Sequence, residues 1–241
     1  MISVRTKLYF SMEKLILQQF FVFTFSERHD KMCSYLYFSF LRGQTMDSNF
    51  FALISRMRYI ARWGLMRNAL PENIQEHSHM VAVLAHALGV IRRDIFHQPC
   101  DVNALATAAL YHDASEILTG DLPTPIKYHN AEIMSAYHAV EDLAVQKLLG
   151  MLPPELRATY ADVLAEDKDG DIYPLVKAAD KLSAYIKCIE ERKAGNNEFL
   201  SAEAQTRAAL EASPLPEVQY FLEHFTPAFE RDLDELGAIG Q

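Results

Sequence analysis

The sequence predicts an all-α protein, organised as a single helical bundle, and three observations support this fold class. Half of the 241 residues are apolar, which is enough to fill a large buried core. Glycine and proline are sparse, at 9 and 10 residues, so long helices are seldom interrupted. Apolar residues recur three or four positions apart along most of the chain, and the strict alternation of half-buried strands is rare.

Residues 1–45 differ in composition from the remainder of the chain. They hold six basic and three acidic residues in a protein of formal net charge −9, and they are crowded with aromatic side chains. Their apolar run ends at Phe25 and is interrupted by two glutamines, so it is shorter than the roughly 20 residues that span a membrane. Met46 is a candidate translation start. We expect 1–45 to be translated upstream sequence and 46–241 to be the working domain; an extension that packs on the domain or binds a partner is the alternative.

The first helices of 46–241 follow from apolar spacing and from residues that begin helices. One helix is expected near 50–60. A second is predicted by a stripe at 3,1,3,1,3 spacing, which comprises Met80, Val83, Leu84, Ala87, Leu88 and Ile91. Asp101 is a suitable N-cap for a third helix, which is expected to run to about Leu118.

The segment 119–125 contains one glycine and two prolines, which predict a rigid loop after the third helix. The helices expected beyond it lie near 127–150, 154–165, 173–194, 202–212 and 216–235. Pro227 is expected to kink or split the last of them. Because short connections join these helices, we expect them to form one all-α domain.

The pair His112-Asp113 stands in an otherwise apolar stretch of the third helix. Both residue types bind divalent metals, and both are costly to bury without a partner. Helical spacing places His77 with the buried stripe of the second helix and Asp180 among the apolar residues of a later one. Three separate helices are thus expected to direct ionisable side chains inward.

These four side chains have ordinary interpretations when they are taken singly. A buried histidine is more often hydrogen bonded within a core, and Asp180 has nearby cations as candidate partners. Taken together they would need four separate partners, whereas one divalent ion neutralises both carboxylates and uses both imidazoles. We therefore expect one metal between the helices, held by His77, His112, Asp113 and Asp180. Mixed nitrogen and oxygen ligation favours Mn, Co, Fe, Ni or Zn over Ca, and the choice among them stays open.

The order of the four ligands resembles that of the HD-domain superfamily of metal-dependent phosphohydrolases. Within it, the chain is similar to the bacterial 5'-deoxynucleotidases over five stretches, which are 62–68, 72–78, 111–128, 187–191 and 194–199. A bare His-Asp pair occurs in many proteins by chance, whereas the extended stretch 111–128 is specific. The resemblance covers about 46–235 and implies a helical HD domain with the metal site between helices.

The resemblance implies a role for each matching residue. Glu116 would act as general acid or base, by positioning or deprotonating the attacking water or by protonating the leaving 5'-oxygen. Arg62 would grip the phosphate, since a guanidinium matches phosphate oxygens in a bidentate way, and Trp63 would help to orient that phosphate. His77 would also contact the substrate. The sugar and base would lie against Asp121, Leu122, Pro123 and Thr124.

Four of these roles have simpler alternatives. Arg62 is otherwise a surface charge, and Trp63, the sole tryptophan, is otherwise a core anchor. Glu116 otherwise only orients His112. Asp121 otherwise stabilises a Gly-Asp turn.

The implied reaction is hydrolysis of a deoxyribonucleoside 5'-monophosphate to deoxynucleoside and phosphate. Because only four ligands are evident, we expect one Co, Mn or other transition metal ion per chain, and the resemblance implies a homodimer. An acidic chain lacks the broad basic surface of a protein that binds nucleic acid polymers. It has no apolar run of membrane-spanning length, and its three widely spaced cysteines predict no disulfide framework, so a reducing cytoplasm is the expected setting.

Three other functions stay open at this point. An alarmone hydrolase of the same superfamily is expected to carry an acidic residue directly after Glu116, where this chain has Ile117. A deoxynucleoside triphosphate hydrolase needs more cations for the additional phosphates than the motif region supplies. A non-catalytic HD module that senses a nucleotide needs no acid/base residue, and the retention of Glu116 argues against it.

Overall fold

The structure, a computed structural model, describes residues 48–127, 129–165 and 170–237. These residues form α-helices with short 3₁₀ and π segments, and no β-strand occurs among them. The predicted all-α fold class is therefore confirmed. None of the described helices is both long enough and apolar enough to cross a membrane. The chain divides into two units, Met1–Asp47 and Ser48–Gln241, and the expectation for 1–45 lies outside the described residues.

Each expected helix has a counterpart in the structure. The last one, expected over 216–235, ends at His224 and is followed by a 3₁₀ turn that contains Pro227, so the predicted split is confirmed. The α-helices are α1 (Phe50–Ile54), α2 (Ile74–Val90), α3 (Val102–Tyr111), α4 (Glu116–Thr119), α5 (Thr124–Lys127), α6 (Ala131–Gly150), α7 (Pro154–Leu164), α8 (Tyr173–Lys193), α9 (Leu200–Glu211) and α10 (Pro216–His224). The 3₁₀ turns are Ser55–Tyr59, Asn197–Phe199 and Thr226–Glu230, and a π turn covers Ile91–Ile95. The predicted loop at 119–125 therefore includes the start of α5.

Side-chain caps begin α2 and α3 where the sequence places an asparagine or an aspartate. The Asn73 side chain accepts a hydrogen bond from the Glu76 amide at 3.1 Å. The predicted cap Asp101 accepts from the amides of Asn103 and Ala104, at 3.1 and 2.9 Å. These bonds satisfy amides that have no partner within the helix, and they fix where each helix starts.

Helices α2, α3 and α8 pack together to form the main core, which includes the fully buried Leu88, Leu105 and Leu182. Gly89 permits a close approach of α2 to α3, because a Cβ atom there would lie 2.9 Å from Leu105 Cδ2. A second apolar cluster joins α1, α6 and α7 around the fully buried Phe50. The three helices that are expected to carry metal ligands are thus the ones that form the main core.

The buried face of α2 differs from the predicted stripe. Met80 and Val83 are 36% and 50% exposed, whereas Val81 and Ala85 are fully buried. The apolar side chains of this helix occupy much of its circumference, so spacing alone does not determine which face is buried. His77 is fully buried, so the prediction that it points inward is confirmed.

The third helix ends earlier than predicted. α3 stops at Tyr111 and α4 begins at Glu116, with a tight turn between them. In this turn the amides of Ala114 and Glu116 donate to carbonyls three residues earlier, at 2.9 and 3.0 Å. An unbroken helix would direct consecutive side chains about 100° apart. The turn instead brings His112 Nε2 to 3.2 Å from Asp113 Oδ2, so two adjacent residues address one point.

Candidate active site

The core helices bring two imidazoles and two carboxylates to one point. His77 comes from α2, His112 and Asp113 from the turn after α3, and Asp180 from α8. The Nε2 atom of His77 lies 3.1 Å from Asp180 Oδ1 and 3.5 Å from Asp113 Oδ2. Ligand atoms of His77, His112 and Asp180 all lie within 4.8 Å of one another. The four predicted ligands therefore converge.

Both imidazoles offer a nitrogen that the protein leaves without a hydrogen bond. The Nε2 atoms of His77 and His112 are buried and have no hydrogen-bond partner. The other nitrogens are engaged: His112 Nδ1 donates to the Ala109 carbonyl at 2.7 Å, and His77 Nδ1 lies 3.2 Å from Ser183 Oγ. A proton on His112 Nδ1 leaves a lone pair on Nε2, directed at the carboxylates. This donor set fits a divalent transition metal.

Both carboxylates of the cluster are held ionised. Burial alone would raise the pKa of Asp180, but the neighbouring imidazole of His77 lowers it to about 2. Burial likewise opposes ionisation of Asp113, and the imidazoles of His112 and His77 with the Arg62 guanidinium lower its pKa below the ordinary value. Ionised carboxylates are the form that binds metals.

Arg62 lies at the wall of this cluster. Its side chain is 12% exposed, and its Nη1 atom lies 3.4 Å from Asp113 Oδ2. Its Nε atom lies 3.1 Å from Glu72 Oε2, and the same oxygen accepts a hydrogen bond from Trp63 Nε1 at 2.9 Å. Arg62 is therefore not a free surface charge, and Glu72 orients both residues of the predicted phosphate grip.

Trp63 adopts a left-handed backbone conformation, with φ of 58°. Such a conformation costs a bulky residue about 1–3 kcal/mol and persists where the surroundings hold it. The hydrogen bond to Glu72 is one restraint, and the ring of Phe199, 5.2 Å away between centroids, is another. The tryptophan thus fixes the path of the chain directly after Arg62.

Glu116 is the first residue of α4, next to the turn that carries His112 and Asp113. Its carboxyl is buried, and its Oε2 atom has no hydrogen-bond partner. Burial and the charges of Asp113 and Asp121 raise the pKa of Glu116 to about 10. A divalent cation bound nearby would lower this pKa towards neutrality, where a general acid or base is most effective.

The segment predicted to line the sugar and base lies between α4 and the start of α5. Asp121, Leu122 and Pro123 are half-buried there, and of Thr124 the structure describes the backbone only. Burial raises the pKa of Asp121, and the Arg62 guanidinium partly offsets this. Asp121 is therefore within electrostatic reach of the arginine.

Sequence reasoning missed two partners of the site residues. Glu72 belongs to a stretch that matched the deoxynucleotidases, but no role was inferred for it, because its contacts with Arg62 and Trp63 depend on a loop path that spacing does not predict. Ser183 lies three residues after Asp180, and this helical spacing, which puts both on one face, was the available signal for its contact with His77.

Comparison with known proteins gives consistent matches over the described domain. A family model described as 5'-deoxynucleotidase YfbR-like matches residues 49–229. Proteins called 5'-deoxynucleotidase YfbR from Shigella boydii and Escherichia coli are each 50% identical over 191 residues, covering 79% of this chain and 96% of theirs.

Solved structures give the same fold. A Listeria innocua HD-domain phosphohydrolase has a TM-score of 0.68 and 25% identity, covering 77% of this chain and 90% of that chain. A Pyrococcus horikoshii protein, 21% identical with a TM-score of 0.57, covers 76% and 98% and is similar in fold.

Proposed function

The chain belongs to the YfbR-like 5'-deoxynucleotidase family, and we propose that the site between α2, α3 and α8 carries out the family's reaction. We propose that this reaction is the metal-dependent hydrolysis of a deoxyribonucleoside 5'-monophosphate to deoxynucleoside and phosphate, and the family's name, 5'-deoxynucleotidase, supports it. One observation carries the assignment of this site. Two buried imidazole nitrogens without hydrogen bonds meet two ionised carboxylates beside a buried arginine.

His77, His112, Asp113 and Asp180 would hold one divalent ion per chain, with Co, Mn or another transition metal as the candidates. When bound, such an ion supplies an acidified water and neutralises charge that develops on the phosphoryl oxygens. The unsatisfied Nε2 atoms support this assignment, because a buried nitrogen acceptor without a partner is otherwise costly.

Arg62 binds the phosphate of the substrate. A guanidinium forms paired hydrogen bonds with phosphate oxygens and adds a positive charge opposite the metal ligands. Its contacts with Glu72 and Asp113 hold it in one orientation, so little side-chain entropy is lost when phosphate binds. Trp63 keeps the adjoining backbone in place and helps to orient the phosphate.

Glu116 serves as the general acid/base. In its protonated form Oε2 holds a proton that can pass to the leaving 5'-oxygen of the nucleoside, and after that transfer the carboxylate accepts a proton from water. The buried, unpartnered Oε2 atom supports this role, since a structural carboxyl at this depth is normally hydrogen bonded.

Asp121, Leu122, Pro123 and Thr124 line the sugar and base side of the substrate, and His77 contacts the substrate as well as the metal. Asp121 is the candidate for the wall that excludes a 2'-hydroxyl. Its half-buried carboxylate, close to the charge of Arg62, supports a position beside the bound nucleotide.

A substrate panel tests this function. Phosphate release from dAMP, AMP and dATP, and tripolyphosphate release from dATP, are measured with Mn²⁺, Co²⁺ or EDTA added. We expect release from dAMP that depends on the added metal and exceeds release from AMP. Triphosphate release from dATP would indicate a triphosphohydrolase, and intact binding of dAMP without turnover would indicate a nucleotide sensor.

We also propose that the chain forms homodimers, acts in a reducing cytoplasm without nucleic acid polymers or membranes as partners, and works through the domain 46–241. The described cysteines, Cys100 and Cys188, are both free thiols, which supports a reducing setting. Sedimentation analysis tests the dimer. Deletion of 1–45 should leave turnover unchanged, and a loss of turnover would contradict the proposed domain boundary.

A further inference from the structure

One face of α8 carries polar residues at both ends of the candidate site. Asp180, Ser183, Lys187 and Glu191 follow one another at steps of three and four residues, so their side chains share one side of the helix. Asp180 and Ser183 belong to the metal cluster. Lys187 and Glu191 are buried, at 4% and 0% exposed, yet they have no part in the chemistry described above.

Glu191 grips the backbone of the segment 60–73, which we call the arginine loop because it carries Arg62. Its carboxylate accepts hydrogen bonds from the amides of Ala69 and Leu70, at 2.8 and 3.0 Å. Lys187 donates to Glu191 at 2.5 Å and also to the Leu70 carbonyl. Asn196 completes the set with a 2.8 Å bond to Glu191. Two of the four groups that donate to the buried carboxylate are therefore loop amides, from the adjacent residues Ala69 and Leu70.

Hydrogen bonds within the arginine loop connect the part that Glu191 holds, residues 69–70, to Arg62. The Arg62 amide donates to the Glu72 carbonyl at 3.0 Å, which closes the base of the loop. Within the loop the Met66 amide donates to the Trp63 carbonyl at 2.9 Å, and Asn68 Nδ2 to the Met66 carbonyl at 3.1 Å. A displacement at 69–70 is therefore passed to the left-handed tryptophan and its neighbour.

A second path links the same helix to the tryptophan. The Trp63 ring packs on the buried Phe199 ring, and the Lys187 ammonium lies 5.8 Å from the centre of the Phe199 ring. Lys187 thus contacts both the loop backbone and the residue that supports Trp63.

We propose that Glu191, together with Lys187, is a positioning residue for the phosphate site. Glu191 and Asp180 lie on the same helix, α8, so a loop held by Glu191 keeps Arg62 at a fixed distance from Asp180. A buried ion pair adds little net stability compared with apolar packing of the same volume, so its contacts point to a defined geometry. The inference rests on the proposed function in one respect, the binding of phosphate by Arg62.

Glu191→Gln in the full chain tests the proposal. Glutamine keeps the size of the side chain, but one carboxylate oxygen becomes an NH₂ group that cannot accept from a loop amide. We expect the KM for dAMP and the inhibition constant of inorganic phosphate to rise at least tenfold, with Mn²⁺ affinity within twofold of wild type. Glu190→Gln, at the exposed neighbouring position, is the matched control and should change none of the three.

A double-mutant cycle separates positioning from a general loss of stability. If Glu191 acts through Arg62, then Glu191→Gln in an Arg62→Ala background should raise the KM less than twofold further. Independent, multiplying losses would overturn the proposal, as would a wild-type phosphate constant in Glu191→Gln. Should that variant fail to fold, Asn196→Ala is carried through the same cycle with the same criteria. It removes the bonds that the Asn196 amide group donates to Glu191 and to the Arg67 carbonyl of the loop, together with the bond that it accepts from the Glu198 amide.

The wild-type protein and the Arg62→Ala variant test the proposed function without any change at Glu191. Wild-type protein that releases no phosphate from dAMP would refute the proposed function. Arg62→Ala that binds phosphate as wild type does would refute the proposed role of Arg62, and the positioning role with it. Active wild type, an impaired Arg62→Ala and an unimpaired Glu191→Gln would refute the positioning role alone.

Discussion

Replacing Ser183 with alanine removes the hydroxyl that lies 3.2 Å from His77 Nδ1. Both residues are buried, at 3% and 0% exposed, so no bulk water reaches the nitrogen directly. The hydrogen bond fixes the rotation of the imidazole ring and thereby the direction of Nε2 towards Asp180. We expect the loss to appear chiefly in metal affinity.

The magnitude follows from two independent considerations. A buried polar atom that loses its partner costs about 1–3 kcal/mol. Loss of a group that hydrogen bonds to a metal-binding histidine lowers metal affinity about 10- to 100-fold, which corresponds to about 1.4–2.8 kcal/mol. Since the two ranges agree, we expect the Kd for Mn²⁺ to rise 10- to 100-fold in Ser183→Ala.

Titration calorimetry of the metal-free protein with Mn²⁺ measures this change. Ser78→Ala is the matched control: Ser78 is 1% exposed, adjoins His77, and its Oγ atom has no hydrogen-bond partner. The control should bind Mn²⁺ as wild type does. If Ser183→Ala bound the metal as tightly as the control, the reasoning about His77 would be refuted.

Three further predictions concern carboxylates around the site. Glu116→Gln should lower kcat for dAMP at least 100-fold while Mn²⁺ affinity stays within twofold, measured by phosphate release and calorimetry; near-normal turnover would rule out its acid/base role. Glu72→Gln keeps an oxygen that can accept from Arg62 and Trp63, so its KM should stay within threefold, whereas Glu72→Ala should raise KM at least tenfold; equal KM values would contradict this. Burial opposes ionisation of Glu191, but hydrogen bonds from Lys187, Asn196 and two loop amides lower its pKa from 4.5 to about 2. Its stabilising contribution is therefore complete above about pH 4.5 and lost as the pH falls towards 2, so acid unfolding should be steeper in wild type than in Glu191→Gln, and parallel curves would argue against the shift.

Helical spacing predicted the features that depend on one helix at a time. The all-α fold, the Asp101 cap and the break at Pro227 were predicted correctly, and the inward positions of His77 and Asp180 led to the ligand set that converges in the structure. These inferences succeeded because a helix turns once every 3.6 residues, so the spacing of apolar residues within one segment indicates which of its side chains face the core.

Features that depend on two segments were not predictable in this way. The turn after Tyr111 replaces part of an expected helix, because it lets His112 and Asp113 face one point. The contacts of Glu191 with loop amides involve backbone groups, which leave no trace in side-chain spacing. The family resemblance identified Arg62, but not the carboxylate of Glu72 that orients it.

The proposed metal site has two halves of different origin, and the tight turn after α3 supplies one of them. His112 and Asp113 are adjacent in sequence, so a few backbone hydrogen bonds suffice to pair them. His77 and Asp180 join them only when α2 and α8 are packed in the core. A chain that keeps the His-Asp pair but has a loosened core would therefore keep only half of the proposed ligands. Metal affinity should then be a more sensitive measure of correct tertiary packing than helix content is.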